Sequence, residues 1–550
     1  MNIKNFSLLV LSFILGLSAC TSEYDVIIQN GTIYDGTREA SFVADIGIKA
    51  DTIAAIGDLD SATASTIIDA EGLAVAPGFI NMLSWANYSL LSDGRSMSNI
   101  KQGVTLEIFG EGSSMGPLNE QMQKQREAEW STLGEYLEYL VEKGISPNVA
   151  SFVGATTIRV NVIGREDRAP TGDELEQMQQ LVRQAMEEGA LGVGSSLIYA
   201  PAWFADTEEL IALAKAVAEY DGMYISHIRS EGDHLLKATD EFFRIATEAG
   251  IDAQIYHLKA AGRQNWDKLD IVFNKIDSLR NEGHDISANM YTYTAASTGL
   301  DATMPPWVKE GTTEDFINRL KNPEIRQKVE SEMRSTETDW ENYYQLSGSP
   351  ENILLLEFDQ DSLKHLNGKT LAEISDARGT DPVATIVDLI IENEGDIGSV
   401  FFVMSEENIR KKIKVPYMSF GSDARSVAAE GEVLKSSTHP RTYGTFARLL
   451  GKYVREESLI SLEEAIYRLT GLPATNLKLK KRGYLKEGYF ADIVVFDPDS
   501  INDRATYTKP HQYAVGVNHV FINGRQVLRN GKHTGATPGR VVRGPGYQAD

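Results

Sequence analysis

The run LAVAPGFINMLSWANYS, Leu73–Ser89, separates two kinds of sequence. Before it lie short segments that alternate apolar and polar residues. After it, short apolar runs are separated by stretches of helical spacing. Within the run, a buried apolar segment ends at the turn signal Pro77-Gly78, and Phe79–Leu83 follows as a short strand. The end of that strand is expected to open onto a site.

Working outward, the downstream apolar runs are Gly103–Phe109, Asn148–Val153, Leu191–Ser195, Met223–His227, Ala253–His257, Asp285–Tyr291, Ser399–Val403 and Val415–Gly421. Helical stretches lie between most of them. Glu208–Tyr220 follows Asp206-Thr207 as a cap and places Leu210, Ile211, Leu213, Ala214 and Val217 at helical intervals. This alternation predicts an α/β architecture, a (β/α)8 TIM-like barrel. The opening strand brings the candidates to nine where a barrel has eight places, so at least one of them belongs elsewhere. An open doubly wound sheet is the competing arrangement, but no Gly-x-Gly-x-x-Gly follows an early strand. The pattern breaks at Pro305–Gly368, where helical charged stretches such as Glu314–Arg334 predict an inserted lid or subdomain at about 305–370.

The two chain ends match one another. Tyr24–Gly36 predicts two strands around Asn30-Gly31, and Ala44–Lys49 and Thr52–Ile56 flank a turn at Ala50-Asp51. Near the other end, Ala491–Pro498 is a strand, and Val515–Ile522 pairs with Gln526–Leu528 across Asn523-Gly524. Neither end supplies two apolar faces, so one small β-sandwich assembled from both is expected. The predicted division is 20–75 and 481–550 for the sandwich and 76–480 for the barrel.

A formal charge of −25 argues against a nucleic-acid partner, whose phosphates would be repelled. Lys4 and the apolar stretch Leu8–Leu17, too short to span a bilayer, predict a signal peptide over 1–19. Leu17-Ser18-Ala19-Cys20 resembles a bacterial lipobox, which implies a mature chain beginning at a lipid-bearing Cys20. No Asp follows Cys20, so the expected place is the cell envelope, at the periplasmic face of the outer membrane, with the lipid as the only membrane contact. Cys20 is the sole cysteine, which excludes an internal disulfide and a cysteine nucleophile.

Barrels take catalytic groups from the carboxyl ends of several strands. His227 ends one predicted strand and His257 another; Asp423 and Glu111 follow two more. A single His after an apolar run is more often a hydrogen-bonded core residue. Two at equivalent strand ends, with carboxylates beside them, point to a zinc-type ion with an open position.

Several stretches strengthen that reading: Pro77-Gly78-Phe79-Ile80, Gln102-Gly103-Val104-Thr105, Ser226-His227-Ile228-Arg229-Ser230-Glu231, His257-Leu258-Lys259, Gly421-Ser422-Asp423 and His439-Pro440-Arg441. In order and number they resemble the D-aminoacylase, or N-acyl-D-amino-acid deacylase, branch of the amidohydrolases, over nearly all of the mature chain. The resemblance implies a zinc hydrolase that cleaves an amide. It assigns His227 and His257 as metal ligands and Asp423 as the residue that takes and returns the proton of the attacking water. Lys259, Arg441 and one or both of Tyr291 and Tyr293 match positions that hold the substrate carboxylate or its carbonyl oxygen.

The departures are equally specific. The family's first-strand His-x-His is Leu83-Ser84-Trp85, and its Gly-His-Gly element is Gly154-Ala155-Thr156. Its bridging Cys has no counterpart, and the nearest alignment places Glu111 there. The expectation is therefore one zinc ion held by Glu111, His227 and His257, with Leu83 and Trp85 forming a drier, apolar wall. The substrate would be a small N-acyl amino acid or a D-residue peptide. The alternative is a degenerate barrel that binds such molecules without turning them over.

Overall fold

Eight parallel strands follow Pro77-Gly78 in the computed structural model, which describes residues 22–548. They are β1 (Phe79–Asn81), β2 (Val104–Phe109), β3 (Asn148–Ser151), β4 (Gly192–Ser196), β5 (Met223–His227), β6 (Asp252–Ile255), β7 (Ile286–Met290) and β8 (Met418–Phe420). Each pairs in parallel with the next, β3 reaching β4 through the short extension Val153–Gly154. Met82 N donates to Phe420 O at 3.1 Å, and Ser84 bridges Ala424, so the last strand closes on the first. Strands buried on both faces favour apolar and small residues, which is why they stand out in the sequence. The helices around them carry local caps: Asp206 accepts from Glu209 N at 2.8 Å to start Thr207–Ala218.

The ninth strand candidate is resolved by pairing. Gly398–Phe401 is a strand, but it lies antiparallel between Ala296–Gly299 and Ile353–Glu357 in a separate three-stranded sheet. With the helices Thr313–Lys321, Pro323–Arg334 and Pro382–Asn393 this sheet encloses its own core, including Phe316, Leu320, Met333, Leu355, Ile386 and Phe401. The insertion thus reaches beyond both ends of the expected 305–370.

The chain ends join as one nine-stranded network, in which Ala74–Pro77 pairs antiparallel with Ile493–Phe496. Asn523 and Gly524, both at positive φ, turn the hairpin of Val517–Ile522 with Arg525–Arg529 as expected. Asn30-Gly31 does not make a hairpin. Tyr24–Ile33 is one strand whose register against Phe42–Lys49 shifts between Ile28 and Gly31, a bulge that lets the same strand pair with Ala64–Asp69 and Ala74–Pro77. Among the described residues no helix is long and apolar enough to cross a membrane. The expected signal peptide and Cys20 lie outside the described residues.

Candidate metal centre

The ends of the barrel strands converge on a cavity of about 760 Å³ lined by Trp85, Glu111, His227, His257, Asp423 and Arg441, among others. Glu111 owes its position to its neighbours. Gly110 and Gly112 hold φ of 104° and 70°, and a Cβ on either would meet Phe152 O or Ser196 Cβ at 2.3 Å. Only glycine tolerates both the conformation and the approach. His257 and Asp423 also adopt positive φ, 32° and 48°, a strained conformation for residues with a Cβ.

Glu111 Oε1 lies 3.0 Å from His227 Nδ1 and 2.9 Å from His257 Nε2. All three side chains are buried. The opposite ring nitrogens of the two histidines face Glu231, with His257 Nδ1 3.0 Å from Oε1 and His227 Nε2 3.5 Å from Oε2. One carboxylate therefore sits behind both imidazoles while another sits in front. A carboxylate behind a ligating imidazole fixes its tautomer and orientation, so the donor set fits a divalent ion with two imidazoles, one carboxylate and an open side.

Charge supports the same fit. Burial alone would push the Glu111 carboxyl up, but His257 and His227 hold it well below the usual carboxylate range. Burial and the Lys259 charge push His257 down, yet Glu231 and Glu111 carry it up to about 9. His227 is pushed down by burial. Asp423 is raised by burial against the opposing pull of Arg441, whose Nη1 stands 2.7 Å from Oδ2. Lys259 and Arg441 pair with Glu231 and Asp423, which leaves Glu111 as the carboxylate that, with the two imidazoles, a bound cation would meet.

The structure brings Glu111, His227, His257, Asp423 and Arg441 into one site with Lys259 and Tyr291 on its wall, and it places Tyr293 elsewhere. Lys259 lines the cavity, but its ammonium donates to Glu231 Oε1 at 2.6 Å and lies 2.8 Å from His257 Nδ1, behind the imidazole. Tyr291 lines the cavity with a buried hydroxyl that has no partner among the described residues. Its ring lies under the Arg441 guanidinium, 4.7 Å from ring centre to Cζ. Tyr293 does not line the cavity; its hydroxyl donates to Asp503 at 2.9 Å, which assigns it to the scaffold.

Leu83 and Trp85 are not an apolar wall. Leu83 is buried in the core, where its backbone N and Cβ lie within 2.8 Å of where a Cβ on Gly421 would stand. Trp85 reaches the cavity, and its indole N–H faces Glu111 Oε2 at 3.0 Å and Asp423 Oδ1 at 3.2 Å. Two further residues went unread in the sequence. Glu231 follows His227 by four positions, a spacing that is a weak signal in a loop. Tyr343, from the insertion, donates to Glu231 Oε2 at 3.2 Å and carries no local signal at all.

A closed (β/α)8 barrel with this donor set at the carboxyl ends of its strands defines a metal-dependent hydrolase. The model of the amidohydrolase family matches residues 408–528. The D-aminoacylase of Alcaligenes xylosoxydans xylosoxydans is 31% identical over 528 residues, covering 94% of this chain and 97% of that protein. An N-acyl-D-glutamate deacylase from Bordetella bronchiseptica, solved with zinc and a phosphonate that mimics the tetrahedral intermediate, aligns with a TM-score of 0.78. Its identity is 29%, with 94% of this chain and 99% of that one covered. A D-aminoacylase structure described as showing one-metal activation and second-metal attenuation of a binuclear centre aligns with a TM-score of 0.76 at 30% identity, covering 94% of this chain and all of that one. The chain belongs to the D-aminoacylase branch of the amidohydrolase family: it is a metal-dependent hydrolase acting on carbon–nitrogen bonds.

Proposed function

We propose that this protein is a lipid-anchored deacylase of N-acyl-D-amino acids that works with one zinc ion held by Glu111, His227 and His257. The observation that carries the reading is the convergence of Glu111 Oε1 with His227 Nδ1 and His257 Nε2, beside Asp423, in a cavity fit for a small molecule. Zinc at such a site supplies Lewis acidity, lowering the pKa of water to about 7 and polarising a carbonyl.

The chain's own residues account for the rest. Asp423 is buried and held by Arg441 and Trp85 at the edge of the donor set. It accepts the proton of the attacking water and returns it to the departing amine. The Tyr291 hydroxyl, buried and without a partner among the described residues, is a donor for the oxygen that becomes negative as the carbonyl is attacked. Arg441 Nε is likewise buried and unpartnered among the described residues, which suits it to the substrate carboxylate. Lys259 and Glu231 orient His257 from behind. A binding-only barrel has no use for a proton acceptor beside a metal donor set, so the hydrolytic reading is favoured.

The relatives' substrates support an N-acyl-D-amino acid. Leu17-Ser18-Ala19-Cys20 supports a lipid anchor at the periplasmic face of the outer membrane. The test is metal analysis of purified protein together with a panel of N-acyl-D- and N-acyl-L-amino acids. About one zinc per chain, lost in His227→Ala, and D-selective hydrolysis, lost in Asp423→Asn with zinc retained, are expected. A protein that binds these compounds without metal or turnover overturns the reading. The anchor is tested by Cys20→Ala, which should move the protein from the membrane to the soluble fraction.

A further inference from the structure

Trp85, partly buried at the centre, has no chemical step of its own in this hydrolysis. Its ring follows β1 and opens the helix Ala86–Ser92. The indole N–H lies 3.0 Å from Glu111 Oε2 and 3.2 Å from Asp423 Oδ1. Both carboxylates are buried, and like charges so placed repel strongly where water is excluded. Proteins commonly settle such a pair with a cation between the two groups. Here one N–H dipole faces both.

An indole nitrogen has no lone pair to give a metal and does not titrate, so it is a donor only. It therefore cannot share the space with a second ion, and it ties up the oxygen of Glu111 that would otherwise bridge to one. With Oε2 engaged, Oε1 alone is turned to the two imidazoles. With Oδ1 engaged by Trp85 and Oδ2 beside Arg441, Asp423 is fixed from two sides. The other residue near the end of β1, Leu83, is in the core and offers no ligand atom from its side chain.

We propose that the Trp85 indole takes the place of a second cation, making the centre mononuclear by construction and acting as the positioning residue for Glu111 and Asp423. This rests on the reading that Glu111, His227 and His257 hold an ion. The test begins with the native holoenzyme, dialysed against rising zinc while bound metal and activity are followed. Binding should saturate at one ion per chain, with no loss of activity at excess zinc. Trp85→Phe keeps the ring and loses the N–H. It should retain the ion and KM while kcat falls by about one order of magnitude, the signature of a group aligned only for reaction. Leu83→His combined with Trp85→His should take up a second ion. A Trp85→Phe variant with native kcat overturns the proposal alone, and two ions in the native protein overturn it together with the one-ion reading of the centre. A native protein without metal and without turnover overturns the underlying reading as well.

Discussion

Glu231 Oε1 and His257 Nδ1 meet at 3.0 Å on the side of the imidazole turned away from Glu111. Glu231 is almost fully buried and is held below the usual carboxylate range because Lys259 and the two histidines outweigh the effect of burial. It is therefore an ionised carboxylate behind two candidate ligands. Glu231→Gln keeps the shape and removes the charge. Metal affinity should fall about 10–100-fold, the usual effect of losing a carboxylate behind a ligating imidazole. Competition against a chelator measures it, and unchanged affinity would exclude the role.

Tyr291 and Tyr293 make a matched pair. Both are buried, but Tyr291 lines the cavity with a hydroxyl unpartnered among the described residues, and the Tyr293 hydroxyl is bound to Asp503. Tyr291→Phe should lower kcat about 10²–10³-fold, as for a lost oxyanion donor, with the melting temperature unchanged. Tyr293→Phe should leave kcat unchanged and destabilise the fold by about 1.5–3 kcal/mol, the range for a hydrogen bond to a charged group. Steady-state kinetics and denaturant unfolding separate the two.

Gly110 tests how Glu111 is placed. Gly110→Ala forces a Cβ to within 2.3 Å of Phe152 O at φ of 104°. The conformation alone costs about 1–3 kcal/mol, and relief requires the loop to shift Glu111. Stability and zinc affinity should fall together. A variant that lost stability but kept native zinc affinity would show that Glu111 is not held by this turn.

Lys412 gives a pH test just behind the centre, at the carbonyl between His257 and Lys259. Its buried Nζ donates to Leu258 O at 2.9 Å, and burial together with the Lys259 charge pushes its pKa down to about 7. The folded state thus prefers the neutral amine. Its contribution to stability is full above the ordinary lysine value and is lost as pH falls through 7. Lys412→Met removes that penalty, so its melting temperature should gain on the native protein as pH drops from roughly 9 to 6. A gain that is independent of pH would refute the assignment.

The barrel is legible in the sequence because strands buried on both faces are rich in apolar and small residues, and that constraint is local. The one surplus strand, Gly398–Phe401, satisfies the same constraint in another sheet, and only its pairing shows which. Asn30-Gly31 likewise carries the local chemistry of a turn, while pairing with three neighbours makes it a bulge.

By itself the sequence determined the alternation of strands and helices, the pairing of the two chain ends, and the positions of Glu111, His227, His257 and Asp423 after apolar runs. The tertiary structure decided what surrounds them. Trp85 resembled an apolar replacement at the end of Leu73–Ser89, yet its N–H lies between Glu111 and Asp423, the latter 338 positions away. Glu231 became the support for two imidazoles, Lys259 its partner at the cavity wall, and Tyr293 was drawn to Asp503. The physical reason is range. Burial and backbone periodicity are written in neighbouring residues, whereas the partner of a buried polar atom is whichever group the closed barrel brings within about 3 Å.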